Sequence, residues 1–202
     1  MPTSPFFAAV SRMKYIERWS LMRSNRPENL SEHSLEVAMI SHALCTIANI
    51  RFGKDLDAAQ AALIGLYHDA SEIITGDLPT PIKYYNSDIR NVFHAIEAKA
   101  DERLLEKLPK DLQPVYSRIF AAEEDASEQE LYMRSLVKAA DKISALIKCI
   151  EERKSGNMEF RTAEKSTQKT LDQMCKDFPE VQVFLNEFLP PYGDTLDELE
   201  ID

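Results

Sequence analysis

The residues able to do chemistry stand out because they interrupt apolar surroundings. In LYHDASEIITGDLPTP, residues 66–81, His68 and Asp69 are adjacent and Glu72 follows, before Gly76 and two prolines break the segment. Imidazole and carboxylate side chains are ligands for divalent cations. Neighbours on a helix point about 100° apart, so His68 and Asp69 can both reach one ion from a single helix. Glu72 falls one turn after His68, where a carboxylate can stand beside an ion without ligating it and take a proton from water held there. A His-Asp pair alone is weak evidence, because it occurs by chance in many chains.

Two further residues strengthen it. Asp141 sits in SLVKAADKISALIKCI among Leu136, Val137, Ala140, Ile143 and Ile147, which the spacing predicts to be buried. Aspartate is a poor residue inside a helix, and an uncompensated buried carboxylate costs several kcal/mol, so it needs a partner. A metal ion is one candidate; a salt bridge to Lys142, Lys138 or a neighbouring helix is the other. His33 lies in the first turn of a predicted helix, beside a loop, where a side chain can project into a cleft. His42 is nine residues further on, about two and a half turns, and therefore faces the opposite way. It reads as a core or surface histidine, and His94, in a charged segment, as an ordinary surface one.

The elements that must bring these residues together are helices. Apolar residues recur at close to 3.6 almost throughout and alternating β-branched runs are missing, which predicts an all-α, single-domain bundle. Ser4 and Pro5 read as the cap and first turn of a helix running to about Trp19. Ser31 reads as the cap of a second, to about Asn49, with Leu35, Ala38, Met39, Leu44 and Ile47 as its apolar pattern. Asp57 opens a third, to about Ile74, which Gly76 ends and Pro79 and Pro81 keep from resuming. Further helices are expected over 87–108, 112–122, 127–153, 158–178 and 181–189. The domain is expected to span 1–202, with its core over about 6–192 and an acidic tail over 193–202.

Composition excludes several functions. With 34 acidic and 24 basic residues the net charge is −10, which repels a polyanion, so a nucleic-acid polymer is not an expected partner. A small anion such as a mononucleotide remains compatible, since one ion and one or two cations can dominate a cleft. No uninterrupted apolar run reaches the roughly 18 residues of a membrane span, and the first ten residues lack the pattern of a secretory signal. A cytoplasmic protein without a membrane partner is the expectation. Cys45, Cys149 and Cys175 are odd in number and far apart, which fits reduced core thiols.

The order His33, then His68-Asp69, then Asp141 resembles the H…HD…D ligand pattern of the HD-domain superfamily of metal-dependent phosphohydrolases. The segments RWSLMR, PENLSEHSLEVAMISHAL, LYHDASEIITGDLPTPIKYYN and LVKAADKISALIKCIEE are similar to the bacterial HD-domain 5'-deoxynucleotidases, over most of residues 6–192. That resemblance implies hydrolysis of deoxyribonucleoside 5'-monophosphates to deoxynucleosides and inorganic phosphate, and a homodimer. It implies one divalent ion, Co, Mn or similar, on His33, His68, Asp69 and Asp141, with Glu72 as general base or acid. Arg18 would stabilise charge on the transferring phosphoryl group. Trp19 would pack against the sugar, and the loop Asp77, Leu78, Pro79, Thr80 would form the sugar-binding wall, with Asp141 also near substrate and Asp77 accepting from the 3'-hydroxyl. Two alternatives belong beside this one. Another HD activity, a phosphodiesterase or triphosphohydrolase, would often need a second metal and more than the four histidines present. A non-catalytic metal-binding helical module would have no use for Glu72 or Arg18.

Overall fold

The computed structural model describes residues 3–79, 82, 85–121 and 125–199. Among the described residues the fold is helical, with one two-stranded exception that places part of the site.

The amino-terminal segment departs from the expected long helix. It forms α1 (Phe6–Val10) and a 3₁₀ turn (Ser11–Tyr15), after which Ile16 is extended. Strand β1 (Glu17–Arg18) then pairs antiparallel with β2 (Glu28–Asn29), Arg18 opposite Glu28. The helix cannot run on to Trp19 because that residue has a φ of +59°, which a β-carbon disfavours. Ser4 accepts from the Phe6 amide at 3.5 Å, but its hydroxyl is also spent on Lys107 O, 2.6 Å away.

Helix α2 (Leu30–Phe52) is the central element, packed against α3 (Ala58–Tyr67) and α7 (Glu128–Lys154). Its cap is Asn29 and not Ser31. Asn29 closes β2 in an extended conformation, and its carbonyl oxygen accepts from the amides of Ser31 and Glu32. By length and composition α2 is apolar enough to cross a membrane, with a mean hydropathy of 1.2 over 18 residues, although polar residues interrupt it. Its Val37, Ile40, Leu44 and Ile47 are instead buried against Ile64 of α3 and Leu136, Ile143 and Leu146 of α7. Leu35 and Met39, expected inside, are 54% and 59% exposed, because the α2 face that carries them is left uncovered in the monomer.

Helix α3 opens at Asp57, whose carboxylate accepts from the Gln60 amide, as expected. It stops at Tyr67, well short of Ile74. Residues 68–71 form turns, and the short α4 (Glu72–Thr75) follows, ended by Gly76 at φ +75°. Gly65 lets α3 approach α2 closely: a β-carbon there would lie 2.8 Å from Ala38 Cα.

Helices α5 (Ser87–Leu105) and α6 (Gln113–Phe120) flank this region. The side chain of Ser127 caps α7 through the Glu130 amide, and Leu136, Val137, Ala140, Ile143 and Ile147 are buried on it as expected. Helices α8 (Arg161–Met174) and α9 (Pro179–Glu187) complete the bundle. Cys45 and Cys149 are buried and Cys175 half-buried, all free thiols; burial pushes the first two up to about 12.

Candidate active site

Three elements converge on one point: the first turn of α2, the turn after α3 and the middle of α7. His33 Nε2 lies 3.3 Å from Asp141 Oδ1 and 3.5 Å from Asp69 Oδ2, and His68 Nε2 lies 3.0 Å from Asp69 Oδ2. One ligand atom each from His33, His68 and Asp141 falls within 4.8 Å of the others. The premature end of α3 matters here. His68 and Asp69 reach the cluster from a turn and not from one helical face, and the freed Nδ1 of His68 donates to Gly65 O at 2.8 Å.

The electrostatics of the cluster favour a cation. Burial alone would lower the His68 pKa, but the charge and contact of Asp69, with Asp141 behind it, outweigh burial and lift it to about 9. Burial alone would raise Asp69, yet the charge of His68 and the contacts of both imidazoles hold it well below the usual carboxylate range. Asp141 is held low in the same way against burial, by Lys142 first and then by His33 and His68. Lys142 Nζ stands 3.0 Å from Asp141 Oδ2, so the salt bridge and the imidazole cluster, weighed as alternatives from sequence, coexist on one carboxylate.

The residues present fit a divalent ion. His33 and His68 both bury Nε2 with no hydrogen-bond partner among the described residues, an arrangement that is costly unless something else occupies those lone pairs. Two imidazole nitrogens and two carboxylates make a mixed N/O set suited to Co, Mn, Fe, Ni or Zn.

The hairpin supplies the cation that faces this cluster. The half-buried Arg18 places Nη2 4.0 Å from Asp141 Oδ1. Burial works against its charge, but Glu28, Asp141, Asp69 and Asp77 together more than compensate and raise its pKa. Asp77 thereby brings the loop after α4 to the same cleft. Glu28 anchors both hairpin side chains: its Oε2 accepts from Trp19 Nε1 at 3.0 Å and from Arg18 Nη1 at 3.5 Å. Phe160 packs edge-on against Trp19, with ring centres 5.3 Å apart. Glu72 is buried at the start of α4, one turn past Asp69, whose carbonyl accepts from the Glu72 amide at 3.0 Å. Leu78 and Pro79 are half-buried, and Thr80 lies outside the described residues.

Residues 5–192 match the model of the YfbR-like 5'-deoxynucleotidases. The chain belongs to that family. The YfbR-like chain is 46% identical over 199 residues to a 5'-deoxynucleotidase of Vibrio vulnificus, covering 98% of its own length and all of the relative's. It is 47% identical, over 98% of each chain, to a 5'-deoxynucleotidase of Yersinia pestis. Its fold is that of an HD-domain phosphohydrolase of Listeria innocua, at a TM-score of 0.79 and 22% identity over 95% of this chain and 89% of the other. An HD phosphohydrolase of cyanophage S-2L, bound to dA and one catalytic Zn²⁺ ion, aligns at a TM-score of 0.62 and 21% identity, covering 89% and 91%. The YfbR-like protein is thus an HD-fold hydrolase.

His42 and His94 are exposed surface residues, as expected, with His94 Nδ1 3.2 Å from Glu97. Sequence reasoning missed Glu28, Glu36 and Ser144, which touch the site residues from behind. A signal was present for two of them: Glu36 lies three residues after His33 and Ser144 three after Asp141, one turn along the same helices.

Proposed function

We propose that the protein hydrolyses deoxyribonucleoside 5'-monophosphates to deoxynucleosides and inorganic phosphate, with one divalent ion, Co, Mn or a similar metal, held by His33, His68, Asp69 and Asp141. The observation that carries this reading is the pair of buried, unpartnered Nε2 atoms facing two carboxylates, with a guanidinium at their edge. When bound, the ion would polarise a phosphoryl oxygen and make water more acidic.

The chain's own residues supply the rest. Arg18, held charged by the surrounding carboxylates and braced by Glu28, meets the negative charge that spreads over the equatorial oxygens in phosphoryl transfer. Glu72, buried at the start of α4, takes a proton as water attacks phosphorus and gives one to the sugar 5'-oxygen as the P–O bond breaks. Trp19 stands beside the sugar and disfavours a 2'-hydroxyl, while Asp77, with Leu78 and Pro79 beside it in the wall, accepts from the 3'-hydroxyl. The left-handed φ of Trp19 supports that role, since backbone strain persists where surroundings over-determine it and clusters at ligand sites. The same reading takes the protein as a cytoplasmic homodimer; sedimentation velocity checks the dimer.

The deciding experiment measures phosphate release from deoxy- and ribonucleoside 5'-monophosphates with metal-stripped and metal-replenished protein. Release from the deoxy series, abolished by stripping and restored by Co or Mn, is expected. No release with any of these metals would defeat the proposal.

A further inference from the structure

Behind the candidate metal ligands lies a short hydrogen-bonded chain with a direction. His33 Nδ1 is 2.9 Å from Ser144 Oγ, and Ser144 Oγ donates to Glu36 Oε2 at 2.6 Å. A serine hydroxyl has one proton, and a carboxylate only accepts. With that proton committed to Glu36, Ser144 can meet His33 only as an acceptor, so the hydrogen on the His33 ring must sit on Nδ1. The lone pair is then on Nε2, the atom that faces Asp69, Asp141 and His68. His33 and Ser144 are both fully buried, so water does not substitute for either partner.

His68 reaches the same tautomer by a different route. Its Nδ1 faces a backbone carbonyl, which can only accept, and which no side-chain substitution removes. The two ligands of one site are therefore fixed unequally. Glu28 Oε1, 4.0 Å from His33 Nδ1, lies beyond hydrogen-bond reach.

We propose that Ser144 and Glu36 are positioning residues that hold His33 in its Nδ1–H tautomer and so present Nε2 to the metal. The inference rests on the metal reading above. Neither residue touches substrate; both act through His33. The pair also ties α2 to α7 at the depth of the site, so the docking of these helices and the orientation of the ligand are one geometric fact. Glu36 is half-buried and borders a groove of about 290 Å³ lined also by Pro27, Glu28, Leu35 and Met39, which leaves room for substitution there.

The test uses the full-length protein in four forms: wild type, Ser144→Ala, Glu36→Gln and Glu36→Ala, with Asp141→Ala as a control. Cobalt(II) affinity is read from visible absorption during titration of the metal-stripped proteins, and the His33 Nδ1–H signal from ¹⁵N NMR of the same proteins before metal is added. Loss of an outer-shell partner typically weakens metal binding about 10- to 100-fold, and that loss is expected for Ser144→Ala, together with loss of the Nδ1–H signal. Glu36→Gln keeps an oxygen that accepts from Ser144 and should bind cobalt as wild type does. Glu36→Ala releases the hydroxyl proton to compete for Nδ1 and should fall between the two. Helical circular dichroism and thermal unfolding establish that each variant folds; if Ser144→Ala does not, the Glu36 pair decides alone. Cobalt binding within about twofold of wild type in both Ser144→Ala and Glu36→Ala, with the His33 signal retained, overturns the inference while leaving the metal reading intact. Wild-type protein that takes up no cobalt, or Asp141→Ala protein that binds it equally well, overturns both.

Discussion

Helix α7 carries two buried polar clusters about three turns apart, and they differ in what their atoms lack. At Glu152, 2% exposed, both carboxylate oxygens are used: they accept from the amides of Asn25 and Arg26, from Asn157 Nδ2 and from Lys148 Nζ, which also donates to Arg26 O. Around Asp141 the carboxylates are only part-buried, and the two imidazole Nε2 atoms face them across a shared space without a formed hydrogen bond among the described residues. A satisfied buried network rigidifies what it touches, here the loop between β1 and β2 that leads back to Trp19 and Arg18. An unsatisfied one costs free energy in the isolated chain and recovers it by binding. The comparison separates structural from ligand-binding polarity on the same helix, and it can be broken by experiment.

The sharpest break is Asp141→Ala. Metal content and phosphate release should both drop to background while helical circular dichroism is kept; a variant that retains either would erase the distinction. Next in size, Glu72→Ala should leave metal content and folding as in wild type and lower turnover about 10²- to 10⁴-fold, the range of a lost general acid or base. Elemental analysis beside a phosphate assay checks this, and unchanged turnover would remove Glu72 from the chemistry.

On the structural side, Glu152→Ala strands Lys148 and should destabilise folding by about 3–5 kcal/mol in denaturant titrations, with metal content per folded molecule unaffected. Its acid response follows from the same contacts. Burial works against ionisation, but Lys148 and the donors from Asn25, Asn157 and Arg26 pull the Glu152 pKa down to about 2. A carboxyl depressed on folding adds stability that is complete above its unfolded value, near 4.5, and is lost as pH falls toward 2. Between those limits wild type should therefore lose about 3 kcal/mol more than Glu152→Gln. The smallest effect tests the helix crossing under the site: Gly65→Ala forces a β-carbon to 2.8 Å from Ala38 Cα and should cost about 1–3 kcal/mol by thermal unfolding, with a weaker metal affinity as His68 shifts.

How far these features were legible depended on the kind of signal each leaves. Helix α7 was readable nearly to its ends, because Ser127 caps it, a 3.6-residue apolar rhythm runs through it and Gly156 follows it. Asp57 was readable as a cap for the same local reason. Asn29 was not, because its role depends on β2, and β2 exists only by pairing with a strand eleven residues earlier. The hairpin strands are two residues each, too short to leave an alternating pattern. The early end of α3 was equally hidden, since the apolar rhythm continues through Ala70 and Ile73 while the backbone turns. Leu35 and Met39 were misread because periodicity identifies an apolar stripe but not what covers it.

What the sequence determined by itself was therefore local and chemical: a helical chain, the cap at Asp57, the break at Gly76, the extent of α7, and ionisable residues set in apolar context at His33, His68-Asp69, Glu72 and Asp141. Those follow from backbone geometry and the cost of burying charge, which act within a few turns. What only the tertiary structure decided was convergence: that residues 33, 69 and 141 come within a few ångström of one another, that Arg18 faces them, and that Ser144 and Glu36 stand behind His33. Several of these contacts join positions more than a hundred residues apart. They are set by which helix faces pack together, a property of the whole core that no single stretch of chain encodes.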